Sequence, residues 1–255
     1  MLDSLSVKII RAYSLKSGRT LPYDTLAASD SAFSVVSEGA KRVIPAGCAA
    51  FISENGQYSV EGEGEVYLVS FEATLYGSLA LFSLYDLPDV LNSLTARAVI
   101  GSVKAAEKQF FTSVIENEID TKLHLWSAVA SAVKQGQPVE AQADIAGRHR
   151  VFAPVFEYIA AHEGETIAME KLVALTEFTA DAFYRAFKKT VGMPPRDYML
   201  FRRLLYARRL LFTTDLSVKE ISGLAGYVSP SAFGAVFAEK YGTAPGKYRS
   251  SVRNG

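Results

Sequence analysis

Two groups of side chains between residues 179 and 235 have the types and spacing to engage a polyanion. In the first, Thr179, Asp181, Tyr184, Arg185, Lys188 and Lys189 fall on one side of a predicted helix, Thr179–Val191, whose other side carries Phe183 and Phe187. An arginine in such a place can donate two parallel hydrogen bonds to guanine O6 and N7, and lysines a turn further on meet phosphates. In the second, Ser229, Ser231, Ala232 and Ala235 take the equivalent side of a predicted helix Ser229–Tyr241. These side chains are small. They can touch a thymine methyl or an accessible hydrogen-bonding edge, but they cannot clamp guanine. Base discrimination is therefore expected mainly from the first group, with shape fit and phosphate anchoring from the second.

Other chemistries find little support. The three histidines, His124, His149 and His162, and the single cysteine, Cys48, are scattered, so no metal site and no cofactor are expected. Nothing has the pattern of a nucleophile elbow, a phosphate-cradling glycine loop or a CxxC pair, so no catalytic residue is expected. Cys48, flanked by apolar residues, reads as core. One cysteine cannot form an internal disulfide, and Met1-Leu2-Asp3-Ser4 lacks the form of a secretory leader. No run approaches the eighteen apolar residues of a membrane span. A cytoplasmic protein without membrane partners is the expectation.

The elements that must hold the two groups form a repeat. Displaced by 50 positions, Ala182 falls on Ala232, Phe183 on Phe233, Phe187 on Phe237, Gly192 on Gly242, Pro195 on Pro245 and Tyr198 on Tyr248. Six identities in seventeen positions exceed the roughly one expected from composition. Leu172 answers Ile221 at an offset of 49, so one turn is a residue longer. The unit is a short helix, a tight turn and a second helix: Met169–Leu175 before Thr179–Val191, and Ser217–Ala225 before Ser229–Tyr241. Gly226 stands where the turn calls for positive φ; Glu177 holds the matching place in the first copy, at a cost of up to about 1 kcal/mol if it is left-handed. A helix Val151–Ala161 precedes the first unit, ended by Gly164. A longer one, Pro194–Phe212, joins the two and spans roughly 28 Å, enough to set the second helices about one DNA turn apart.

These residues resemble the AraC/XylS family of bacterial regulators over about Arg150 to Arg249. The second unit carries Asp215-Leu216-Ser217-Val218, Ile221, Gly226-Tyr227, Ser231-Ala232-Phe233, Phe237, Gly242, Pro245 and Tyr248-Arg249. The first unit and the joining helix carry Phe187-Lys188-Lys189, Gly192, Tyr198, Arg203, Ala207 and Leu210-Leu211. The resemblance implies a transcription regulator that grips double-stranded DNA with two helix-turn-helix units, and favours activation through contacts with RNA polymerase. It places Arg185 where relatives contact base edges, and gives Arg203 a structural role rather than a DNA contact. The chain departs from the family where Ala235, Ala238 and Glu239 replace the basic residues answering Arg185, Lys188 and Lys189.

Charge separates the halves. Residues 1–149 hold 12 Lys/Arg against 17 Asp/Glu, and residues 150–255 hold 15 against 10, so the second half draws phosphate and the first repels it. The fold expected is α+β and multidomain: a cupin-like β-barrel with helices over 1–135, a linker over 136–149, and an all-α domain with two helix-turn-helix units over 150–255. Strands are predicted at Leu5–Leu15, Ala32–Ser37, Arg42–Ser53, Gln57–Val60 and Glu65–Phe71, with turns at Glu38-Gly39, Asn55-Gly56 and Glu61–Gly64. Helical spacing runs over Ser102–Val133. Lys41–Phe71, with Ile44-Pro45-Ala46-Gly47-Cys48 at its centre, resembles the cupin-like barrel of many AraC/XylS members. Two roles stay open for this half: binding a small effector, and forming a homodimer. Phe110, Phe111, Ile115, Ile119, Leu123 and Trp126 would serve either a dimer seam or the cover of the barrel. A cupin-type enzyme and a DNA-binding adaptor without effector are the rival readings.

Overall fold

A computed structural model describes residues 5–19, 23–37, 40–53, 58–108 and 114–253. By their internal contacts the described residues divide into two units: one of those within 6–74 and 80–142, the other of those within 143–253 with Leu5 and 75–79.

The first unit is a curled antiparallel half-barrel with two helices. Its strands are β1 (Leu5–Arg19), β2 (Asp24–Ala28), β3 (Phe33–Ser37), β4 (Ala40–Ile44), β5 (Ala49–Ile52), β6 (Tyr58–Leu75) and the short β7 (Leu79–Ala80). The order is β4-β3-β6-β2-β5, with β1 and β7 also on β6. The long β6 has its start opposite β3 (Val35 against Val60) and its middle opposite β2 (Leu26 against Val69). The turn expected at Glu61–Gly64 is absent. Glu61, Glu63 and Glu65 are exposed and alternate with half-buried Gly62 and Gly64, which is the two-residue period of a strand. The expected strand Arg42–Ser53 is two strands, broken at Pro45-Ala46-Gly47, and β2 was not anticipated. The turns expected at Glu38-Gly39 and Asn55-Gly56 lie outside the described residues.

The core gathers Ala27, Phe33, Val35, Ile44, Ala50, Ile52, Val60, Val66 and Leu68, with half-buried Cys48 against it. The helical stretch expected over Ser102–Val133 is two packed helices, α1 (Ser93–Glu107) and α2 (Val114–Gln135). Asn92 starts α1 by accepting from the Leu94 and Thr95 amides. A two-stranded ribbon, β8 (Tyr85–Asp86) with β9 (Gln137–Pro138), closes the unit. Leu125, Ala128, Val129 and Ala132 of α2 are buried, whereas Ile119, Leu123 and Trp126 are 51%, 62% and 39% exposed. Those three stand outside the buried core. Phe110 and Phe111 lie outside the described residues.

The second unit is helical: α3 (Gln142–Val151), α4 (Ala153–Ala161), α5 (Met169–Ala174), α6 (Ala180–Val191), α7 (Pro195–Thr213), α8 (Val218–Leu224), α9 (Pro230–Tyr241) and α10 (Pro245–Arg253). Helix α3 begins inside the stretch read as a linker. The helix expected from Val151 starts instead at Ala153, with Pro154 in its first turn. No helix among the described residues is long and apolar enough to cross a membrane.

Candidate nucleic-acid interface

The repeat is visible in three dimensions as two aromatic cores built alike. Phe183 and Phe187 are buried with Phe152, Phe156 and Tyr198; Phe233 and Phe237 are buried with Leu211, Ile221 and Tyr248. The ring centroids of Phe187 and Tyr198 lie 5.6 Å apart, and those of Phe237 and Tyr248 5.2 Å, both edge-on. Each helix that follows the turn begins on a hydroxyl: the Ala182 amide donates to Thr179 Oγ1, and the Ala232 amide to Ser229 Oγ at 3.1 Å. Each ends on a left-handed glycine, Gly192 (φ +83°) and Gly242 (φ +71°), whose amides close on Lys188 and Ala238. Capping and core together fix which side of α6 and of α9 faces out.

On α6 that side presents Asp181, Arg185, Lys188 and Lys189, all exposed, with Thr179 exposed at the start. Tyr184 is half-buried and meets the Phe183 ring edge-on, so it belongs partly to the core. On α9 the side presents exposed Ser231, Ala232 and Ala235, while Ser229 is half-buried and occupied as the cap. Gly226 has φ +73°, as its turn requires. Glu177 is not left-handed, so the strain considered for it does not arise.

The arginines of α7 are mostly structural. Arg203 donates to the carbonyls of Glu165 (2.7 Å) and Gly226 (3.4 Å), in keeping with its expected role. Arg208 is buried and lies over the Tyr241 ring. Arg202 and Arg209 both reach one carboxylate, Glu163, at 2.6 and 2.7 Å, and Arg202 also donates to the Gly77 carbonyl at 2.9 Å. Glu163 is 8% exposed, so the two guanidiniums neutralise a charge that burial alone would make costly.

Beside it, Gly164 admits no side chain, because a Cβ there would stand 2.0 Å from the Leu224 carbonyl oxygen. The loop 163–165 thus ties α4, the joining helix α7 and the turn of the second unit together. In the sequence alone Gly164 marks only a helix end. The signal for more was the seven-residue spacing of Arg202 and Arg209, which puts both on one face of α7.

A helix-turn-helix domain family model matches residues 172–251, the segment that holds both units. That segment belongs to the AraC/XylS family. The AraC-type segment is similar to the probable transcriptional regulator LumQ of Photobacterium leiognathi, 29% identical over 96 residues, 38% of this chain and 39% of that protein. It is also similar to the HTH-type transcriptional regulator YbfP of Bacillus subtilis, 33% identical over 96 residues, 38% of this chain and 32% of that one. The match thus spans about a third to two-fifths of these relatives. Over nearly the whole chain, a crystal structure of ToxT from Vibrio cholerae bound to (E)-4-(8-methylnaphthalen-1-yl)but-3-enoic acid has the same fold, with a TM-score of 0.50, 16% identity, and 98% of this chain against 99% of that one covered.

Proposed function

We propose that the chain is a cytoplasmic, sequence-specific DNA-binding transcription regulator and not an enzyme. In this reading α6 and α9 enter two successive major grooves on one side of a duplex, with residues 150–255 as the DNA-binding domain. The observation that carries it is the pair of like-built units whose second helices turn exposed faces outward, held by one nineteen-residue helix. Arg185 reads a guanine and Lys188 and Lys189 meet phosphates; Asp181 and Thr179 flank the edge, and Tyr184 supports it. Ser231, Ala232 and Ala235 fit the second groove by shape. Activation through RNA polymerase is the regulatory mode favoured by the family, and run-off transcription with and without the protein tests it.

For residues 1–135 we propose a regulatory role. The exposed row Ile119, Leu123 and Trp126 on α2 has the i, i+4, i+7 spacing of a helix-pairing seam and supports a homodimer. Along β1, α1 and α2 runs a cleft of about 740 Å³, with Ile10 and Val7 among its walls, Lys8, Arg11 and Lys122 among its cations, and Glu107 and Glu118 beside them, Glu118 paired with Lys122 at 2.6 Å. Such a cleft suits a small amphipathic anion, and ToxT's aryl butenoic acid is of that class. Melting the protein with a panel of small carboxylic acids and lipids tests this, since a ligand of the folded state raises Tm. No shift with any of them would favour the effector-free adaptor. The DNA-binding reading is tested by selecting genomic fragments on the purified protein: recurrent enrichment of a bipartite motif supports it, and uniform recovery of all sequences refutes it.

A further inference from the structure

We infer that the second helix-turn-helix unit selects thymines by their 5-methyl groups, with Val228 as the leading contact; this rests on the DNA-binding reading above. Val228 is fully exposed, directly before Ser229, the residue that caps α9. In the position preceding a helix cap, an apolar side chain ordinarily folds back on the residue four positions into the helix. The first unit does this: Phe178, before the cap Thr179, is half-buried in the core that holds Phe183, and stacks on Phe152 at 5.6 Å. In the second unit Tyr227 takes over that packing, its ring 5.2 Å from Phe233, and Val228 is left facing out.

The turn that carries Val228 is fixed on both sides. The Gly226 amide donates to the Gly223 carbonyl and the Tyr227 amide to the Ser222 carbonyl, each at 3.0 Å, and the Phe233 amide donates to the Ser229 carbonyl at 3.1 Å. A β-branched side chain on a fixed turn has little rotamer freedom to lose on contact.

The exposed residues that follow Val228 in the first two turns of α9 are small and uncharged: Pro230, Ser231, Ala232 and Ala235. Two cations of this unit are engaged elsewhere. Lys240 lies over the Phe201 ring at 5.4 Å, and Arg249 donates to the Leu211 and Leu216 carbonyls. A face of methyl and methylene groups has no donor pair for guanine O6/N7. The major-groove feature that matches it is the thymine methyl, the one apolar group displayed there.

The test uses the full chain and random duplexes. Binding sites are enriched from the pool, and the half-site of the first unit is identified as the one whose preference changes with Arg185→Ala. In the other half-site each thymine is then replaced by deoxyuridine, which removes only the methyl. The expected result is an A·T-rich second half-site in which each contacted thymine loses about fourfold in affinity on replacement. Val228→Ser should abolish that penalty at one position and leave the melting temperature unchanged. Deoxyuridine binding as tightly as thymine throughout, or a guanine preference in that half-site, would overturn the inference while leaving the DNA-binding reading intact. A pool in which nothing is enriched would overturn both.

Discussion

Arg185 stands exposed in the second turn of α6, and the helix behind it is anchored by two buried phenylalanines. A bidentate arginine–guanine pair contributes about 1–3 kcal/mol of discrimination, so Arg185→Ala should weaken binding to a selected site by roughly 5- to 150-fold. Ser231→Ala, which removes one hydroxyl from the other unit, should do less. Gel shifts at fixed salt decide the order, and the reverse order would contradict the division of labour between the units. Lys188→Ala should weaken all sequences alike and reduce the slope of affinity against salt by about one unit. The outward placement of these side chains was legible in the sequence because the Phe183/Phe187 pair fixes the phase of the helix, and phase decides which residues face out. Tyr184 was harder to place, since a large ring at the border of the core can turn either way. Val228 was not legible: that Tyr227 supplants it against Phe233 is a matter of packing.

The elements that hold these residues depend on the loop after α4. Glu163 accepts from two arginines while nearly shut off from water, so Glu163→Ala strands two half-buried guanidiniums and should cost about 3 kcal/mol. For a domain of this size that lowers Tm by about 10 °C or more, which calorimetry would measure. Gly164→Ala forces a methyl against the Leu224 carbonyl. It should reduce affinity for a two-groove site at least tenfold while each aromatic core keeps its near-ultraviolet signature; unaltered binding would mean the tie does not set the spacing.

His149, buried in α3, donates to the Ile145 carbonyl and stacks near Phe156. Burial, opposed by that hydrogen bond, holds its imidazole below the ordinary value of 6.5. The unfolded chain therefore takes up the proton first. Stability should be level above about pH 7, and should fall as pH drops below 6.5 toward the depressed value. His149→Phe should flatten that profile in a melting series. Strand and helix types were readable from period and capping, but their boundaries were less so. Alternating Glu and Gly at 61–65 look like a turn by composition and like a strand by period, and the period prevails because β3 lies alongside to pair with it.

Two units of opposite net charge suit a division in which the helical half meets DNA and the acidic half does not. If α2 forms the seam between copies, Leu123→Asp should convert a dimer to monomers in sedimentation equilibrium with secondary structure unchanged. A wild-type chain that sediments as a monomer would remove that part of the account. The double helix-turn-helix architecture was open to view in the sequence because a fifty-residue repeat constrains both copies at once. The half-barrel was less so, since β2 and β6, and β3 and β6, are joined by long-range pairings that no local signal encodes.

The central claim is that one chain lays two helices into neighbouring major grooves. Hydroxyl-radical footprinting on a selected duplex tests it most directly. Two protected patches on the same face, their centres about 10 base pairs apart, are predicted for each bound chain. Ser217→Ala with Glu220→Ala, which together break the cap of α8 at 2.7 and 3.2 Å, should fade one patch and spare the other. A single protected patch per bound chain would contradict the account.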